Sequence, residues 1–153
     1  MSNEELCAYL AGRRLGVLSS IGPQGEAQSA LVGYAVTPEL ELIFDTVTST
    51  RKYPNLVERP RCSFVIGWDA EQTVQYEGTA RELSGAELAR YQEIYFRAWP
   101  DGPERLSWPG IVYFLVSPLW IRFSDFAQNP PLICEFAYPP RAALAFSPSN
   151  ESI

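Results

Sequence analysis

The chain of 153 residues contains no histidine. That absence removes Ser-His and Cys-His nucleophile pairs, histidine-ligated metals and histidine acid–base catalysis together. Cysteine is scarce as well. Cys7, Cys62 and Cys134 are odd in number, widely separated and in no CxxC arrangement, so they point to neither a disulfide framework nor a metal site. Each reads as a small core hydrophobe. Basic residues are outnumbered, 12 Lys and Arg against 18 Asp and Glu, for a net charge of −6. Nucleic acid and anionic membrane surfaces both require a basic face and are not expected as general partners. No apolar run approaches the length of a membrane span, and the opening "MSNEELCAYL" carries acid where a secretory signal carries base. A cytoplasmic location is expected. With these side-chain chemistries excluded, any reaction is expected to belong to a cofactor.

What is present describes a folded domain. The chain is 46% hydrophobic and 13% aromatic, and its length suits one domain with a real core. "SNEELCAYLAG" predicts a first helix with Ser2 and Glu5 as a capping box and Leu6, Tyr9 and Leu10 on one face. "LGVLSSIG" and "PQGEAQSALVGYAV" predict a hairpin turning at Gly22-Pro23-Gln24-Gly25, and "ELIFDTV" a third strand. "RKYPNLVER" suits two helical turns, with Pro54 tolerated in the first. "RCSFVIGW" alternates Cys62, Phe64 and Ile66 against Ser63, Val65 and Gly67, and "TVQYEGTARELS" alternates Val74, Tyr76 and Gly78 against Thr73, Gln75 and Glu77. Ser84 and Glu87 form a second capping-box pattern ahead of a long helix, Ser84 to Ala98, whose Leu88, Tyr91 and Tyr95 read as packing residues. "GIVYFLVSPLWIRFSDF" is a last long strand with Pro118 at a bulge or bend. The expectation is a mainly β (α+β) fold, a six-stranded antiparallel barrel with flanking helices over residues 1–127. Residues 128–153 are expected to form a proline-rich tail.

One stretch carries chemistry. In "TVTSTRKYPNLVERPRCSFVIGW" (46–68), three consecutive hydroxyl residues stand before Arg51 and Lys52. Hydroxyls ahead of a helix cap it, and adjacent cations are often only solvated. The same groups also suit a dianionic phosphate, because hydroxyls, amides and a paired Arg and Lys all donate to it. The stretch alone leaves both readings open.

The order of elements, together with "FDTVTSTRKYPNLVERPRCSFVIGW", resembles the pyridoxamine 5′-phosphate oxidase-like family of FMN-binding split β-barrels, nearer its general-stress-protein members than the true oxidase. Phe44, Thr46, Ser49, Arg51, Lys52, Asn55, Leu56, Pro60 and Trp68 follow the family pattern in order. The resemblance implies a homodimer with FMN between subunits. It implies that Arg51 and Lys52 bind the FMN phosphate and that Thr46 and Ser49 donate near it. By the same resemblance the backbone of Ser29, Ala30, Leu31 and Val32 runs beside the isoalloxazine, Thr73 reaches the flavin from the fifth strand, and Trp120 and Arg122 face the flavin of the second subunit. The chain departs from the true oxidase at Ser29 and Ala30, at Trp99 and in "SDFAQNPP", where the oxidase carries basic or histidine-bearing motifs. An oxidoreductase with another small substrate is therefore expected. A flavin, deazaflavin or tetrapyrrole carrier without turnover is the alternative. Tyr34 and Asp45 are the polar side chains nearest the expected site, and both also read as strand residues facing water.

Overall fold

The computed structural model describes residues 1–140, and the alternation of the sequence becomes the two faces of one curled antiparallel sheet. The elements are α1 (Asn3–Ala11), β1 (Leu15–Ile21), β2 (Ala27–Gly33), β3 (Ala35–Val36), β4 (Leu42–Val47), α2 (Lys52–Glu58), β5 (Arg61–Ile66), β6 (Gln72–Glu82), α3 (Gly85–Ala98), a 3₁₀ turn (Gly102–Ser107), β7 (Ile111–Asp125) and β8 (Leu132–Ala137). Strand order is β2-β1-β5-β6-β7-β4-β3, with β8 also on β7. The fold is the expected split barrel with flanking helices.

The inner face is the main core. Leu18, Phe64, Tyr76 and Ile121 stand side by side across β1, β5, β6 and β7, each at most 1% exposed. Burying a side chain of this size contributes about 1.5–3 kcal/mol. Tyr76 keeps its hydroxyl satisfied at depth by donating to the carbonyls of Leu40 (2.8 Å) and Val116 (3.1 Å). A second cluster forms where α3 lays Tyr91 and Tyr95 against Ile43, Tyr113 and Leu115, as the helical spacing predicts.

Local signals hold at several joints. Ser2 Oγ accepts from the Glu5 amide at 3.1 Å and Glu5 Oε2 from the Ser2 amide at 2.6 Å, completing the capping box. The β1–β2 turn closes with the Gly25 amide on the Gly22 carbonyl, and Gly25 takes φ +80, a conformation strained for other residues. At Pro118 the β6–β7 register shifts, leaving Leu119 as the extra residue of a bulge.

Three expectations are corrected. Ser84 sits at the N-cap of α3 without a side-chain cap bond, and the carboxylate of Glu87, the other half of the expected box, is held by both terminal nitrogens of Arg81. A bidentate guanidinium fork outcompetes a single carboxylate bond to a backbone amide. There are eight strands among the described residues, not six. One arises because the chain after Gly33 leaves β1 and pairs with β4 as β3. The other, β8, lies inside the expected tail, since Pro130-Pro131 and Pro139-Pro140 bracket a strand without interrupting it. The rest of that stretch, 141–153, lies outside the described residues. Among the described residues no helix is long and apolar enough to cross a membrane, and no cluster of His, Cys, Asp and Glu is placed to hold a metal.

Candidate functional site

β4 ends in a loop that uses its own hydroxyls. Thr50 donates to the Val47 carbonyl at 2.9 Å, so the 3.1 Å contact between Thr46 and Thr50 is a bond donated by Thr46. The turn delivers Arg51 to the N-cap position of α2, where no side chain caps the helix. The hydroxyls hold the loop, and the capping reading does not apply. Ser49 stands exposed at the loop tip, with no hydrogen bond from its side chain among the described residues.

Arg51 and Lys52 face the β1–β2 hairpin across a cleft of about 110 Å³. Ser29 and Ala30 line it from β2, with Gln28 beside them, and Leu18 and Ser20 from β1. The spacing is set by Asn55, 2% exposed, whose Nδ2 donates to Ser20 Oγ at 3.1 Å and Gln28 Oε1 at 2.9 Å. One turn of α2 is thereby tied to the hairpin, and the two cations at its start are placed with it. Neither Arg51 nor Lys52 makes an ion pair among the described residues. Lys52 is half-buried, and burial pushes its ammonium below the usual lysine range. A partly desolvated cation beside a second one, with no carboxylate between them, is stabilised by a bound anion. The donor set fits a phosphate, and hence the FMN implied by the resemblance.

The remaining expected residues are not in this cleft. Leu31 is 61% exposed on the outer face of the sheet, while Val32, 8% exposed, turns into the core. Only the backbone of β2, an edge strand paired with β1 alone, can accompany a ligand there. Register places Thr73, Trp120 and Arg122 on the outer face with Leu31: Leu31, Val17, Val65, Gln75, Arg122 and Glu135 form one row, and Ser29, Ser19, Ser63, Glu77 and Trp120 the next. Thr73 lies one row beyond Arg122, opposite Ser124. Arg122 donates through Nε to Glu135 at 2.9 Å and lies 5.2 Å from the Trp120 ring centroid. β2 and β7 are four strands apart, about 19 Å along the sheet at about 4.8 Å per step. Within one chain the two groups do not meet.

Tyr34 and Asp45 do not face water. Tyr34 is 2% exposed with its hydroxyl on the Leu10 carbonyl, and burial pushes its pKa up. Asp45 accepts from Arg105 Nε at 2.7 Å, and Arg105 also donates to the Tyr95 hydroxyl at 3.1 Å. Both are structural. Ser20 and Gln28 have no role in the sequence reading, and Asn55 enters it only through the family pattern, without a role at the site. Ser20 and Gln28 are register partners and polar at positions that otherwise face the core, which was the available signal.

Residues 2–123 match the family described as pyridoxamine 5′-phosphate oxidase. A pyridoxine/pyridoxamine 5′-phosphate oxidase from a Nocardioides species is 30% identical over 93 residues, covering 60% of this chain and 42% of that protein. The chain thus matches less than half the length of that relative. A heme-binding protein from Mycobacterium smegmatis shares the fold at a TM-score of 0.75 and 17% identity, over 90% of this chain and 58% of that one. A pyridoxamine 5′-phosphate oxidase-related, FMN-binding protein from Nostoc punctiforme does so at 0.61 and 16%, over 90% and 91%. The family match spans α1 to β7, well over half of the sequence, and the chain belongs to the pyridoxamine 5′-phosphate oxidase-like family of split β-barrels.

Proposed function

We propose that the chain is a cytoplasmic FMN-binding flavoprotein that works as a homodimer, an oxidoreductase for a small substrate other than pyridoxine phosphate. The observation that carries the reading is the pair Arg51 and Lys52, converging on one cleft with no carboxylate partner among the described residues. When bound, the flavin supplies hydride or electron transfer. The chain's part is to hold and orient it. Arg51 and Lys52 bind the phosphate, Thr46 and Thr50 keep the loop closed beneath it, and the free edge of β2 at Ser29 and Ala30 runs beside the ring. The outer face supports the dimer, since Leu31 at 61% and Val65 at 43% exposure are large apolar side chains on a regular sheet surface. A second copy on that face brings its own Thr73, Trp120 and Arg122 to the ring, which a single chain does not.

The test is a titration of FMN and riboflavin into the wild type and the Arg51→Ala/Lys52→Ala variant. Each charge-assisted contact to phosphate is worth about 1.5 kcal/mol or more, so the variant loses about a hundredfold in FMN affinity and almost nothing for riboflavin. Equal FMN affinity in the two proteins refutes the phosphate role. Sedimentation at micromolar concentration tests the dimer, and bleaching of the flavin by NADH or NADPH separates an enzyme from a carrier.

A further inference from the structure

We propose a second ligand site, for a small organic anion with a flat apolar body, in the cleft between the C-terminal ends of α1 and α3. It has a volume of about 380 Å³, within the range of small-molecule sites, and it lies at the Gly33 end of the β1–β2 hairpin, away from the Arg51–Lys52 cleft at the turn end. On β1 and its approach the nearest lining residues of the two, Arg14 and Leu18, are four residues apart, about 13 Å of extended chain. The site does not depend on the flavin reading.

Its charge is the first argument. Arg13, Arg14 and Arg97 all line the cleft and no acidic residue does, in a chain where acids outnumber bases. Neither Arg13 nor Arg14 makes an ion pair among the described residues, and the Arg97 partner, Glu93, is an exposed neighbour at 3.3 Å with both side chains 72% open to solvent. Three like charges around one hollow favour an anion there, although the carbonyls at the two helix ends already offset part of the charge, Arg14 meeting that of Ala98. An adjoining hollow shares Arg13 and Arg14 but contains Asp69, which makes it the poorer home for an anion.

Preorganisation is the second argument. Trp99 fixes the central guanidinium: Arg14 lies 4.1 Å over the indole ring and donates to the Ala98 carbonyl at 3.1 Å. Trp99 is itself held by its Nε1–H on the Tyr34 carbonyl at 2.9 Å and by stacking on Tyr95. A planar fork with most of its five N–H groups still available is thus locked in place, which lowers the entropy cost of gripping a carboxylate or sulfonate. Val36 and Ile94 provide apolar wall beside it, so a ligand that is only an anion leaves that surface unused.

The probe pair is 2-naphthoate and the isosteric neutral 2-naphthamide, titrated into the full chain by calorimetry, with the indole N–H signals followed by NMR. Naphthoate binds saturably, shifts the Trp99 indole signal (assigned with Trp99→Phe), and binds at least about tenfold tighter than the amide. Arg14→Gln removes about tenfold. Because Arg14 also packs on Trp99, Arg97→Gln is the control that leaves the fold untouched, and it weakens naphthoate severalfold without altering the amide. Absence of naphthoate binding, equal binding of the amide, an unmoved Trp99 signal, or unchanged affinity in Arg97→Gln each overturns the proposal.

Discussion

Replacing Asn55 with leucine keeps the branched shape of a buried side chain and deletes its polar head. Two hydrogen bonds disappear, at 3.1 Å to Ser20 Oγ and 2.9 Å to Gln28 Oε1, each with a net worth of about 0.5–1.5 kcal/mol. The loss does not stop there. Ser20 is 4% exposed, and without Asn55 its hydroxyl stays buried without that donor, while the carbonyl of the Gln28 side chain cannot turn to a new one because its amide nitrogen is engaged by Glu26 at 3.2 Å. Stranding such a group costs about 1–3 kcal/mol, so the sum is about 2–6 kcal/mol, a large part of the 5–15 kcal/mol typical of a domain. At about 2–4 °C per kcal/mol for a chain of this size, the melting temperature falls by about 4–24 °C. Urea unfolding of Asn55→Leu, Ser20→Ala and the double variant measures both terms: the double variant is more stable than the sum of the singles predicts, by about 1 kcal/mol, because removing the hydroxyl removes the stranded group. A loss below about 0.5 kcal/mol for Asn55→Leu, or strict additivity, refutes the reasoning. It would also detach α2 from the hairpin as the device that places Arg51 and Lys52.

Two further outcomes are expected. A Cβ on Gly33 would lie 2.5 Å from Cζ2 of Trp99, so Gly33→Ala forces the indole away and costs about 1–3 kcal/mol with a change in tryptophan emission; an unchanged spectrum with a loss below about 0.5 kcal/mol counts against the close approach. Asp125 accepts from Gln128, Gln72 and the Ala127 amide, which hold its carboxyl below the usual range; that stabilisation is present above the unfolded pKa and is lost as pH falls through the folded one, so the melting-temperature deficit of Asp125→Asn at pH 7 closes in acid, and a deficit independent of pH refutes the assignment.

Much of the fold was legible because its signals are local. Period-two alternation in "RCSFVI" and "TVQYEG" placed Phe64, Ile66, Val74 and Tyr76 inward, and all four are buried. Gly22 to Gly25 marked the turn and Pro118 the bulge, each through a backbone constraint its residue carries anywhere in a chain. The errors came where a local signal met a distant competitor. Ser84 and Glu87 have the right spacing for a capping box, but Arg81 on β6 takes the carboxylate. In "NPPLICEFAYPP" the proline count outweighed six alternating residues that find their partner in β7.

The site divides along the same line. Arg51 and Lys52 are adjacent in sequence, so their convergence needed only one turn of chain to be correct, and what the sequence withheld was the buried Asn55–Ser20–Gln28 brace that aims them. The other expected residues are spread over β2, β6 and β7, and the register places Leu31 and Arg122 in a single row of the outer face with three strands between them. No rearrangement short of breaking that sheet brings them together. If both belong to one site, a second copy of the chain must supply one of them, so flavin affinity and dimerisation are linked in this fold. Ligand that binds only the dimer stabilises it by mass action. Dissociation measured by sedimentation therefore weakens when FMN is added, and the same dissociation constant with and without FMN would place the whole ligand on a single chain.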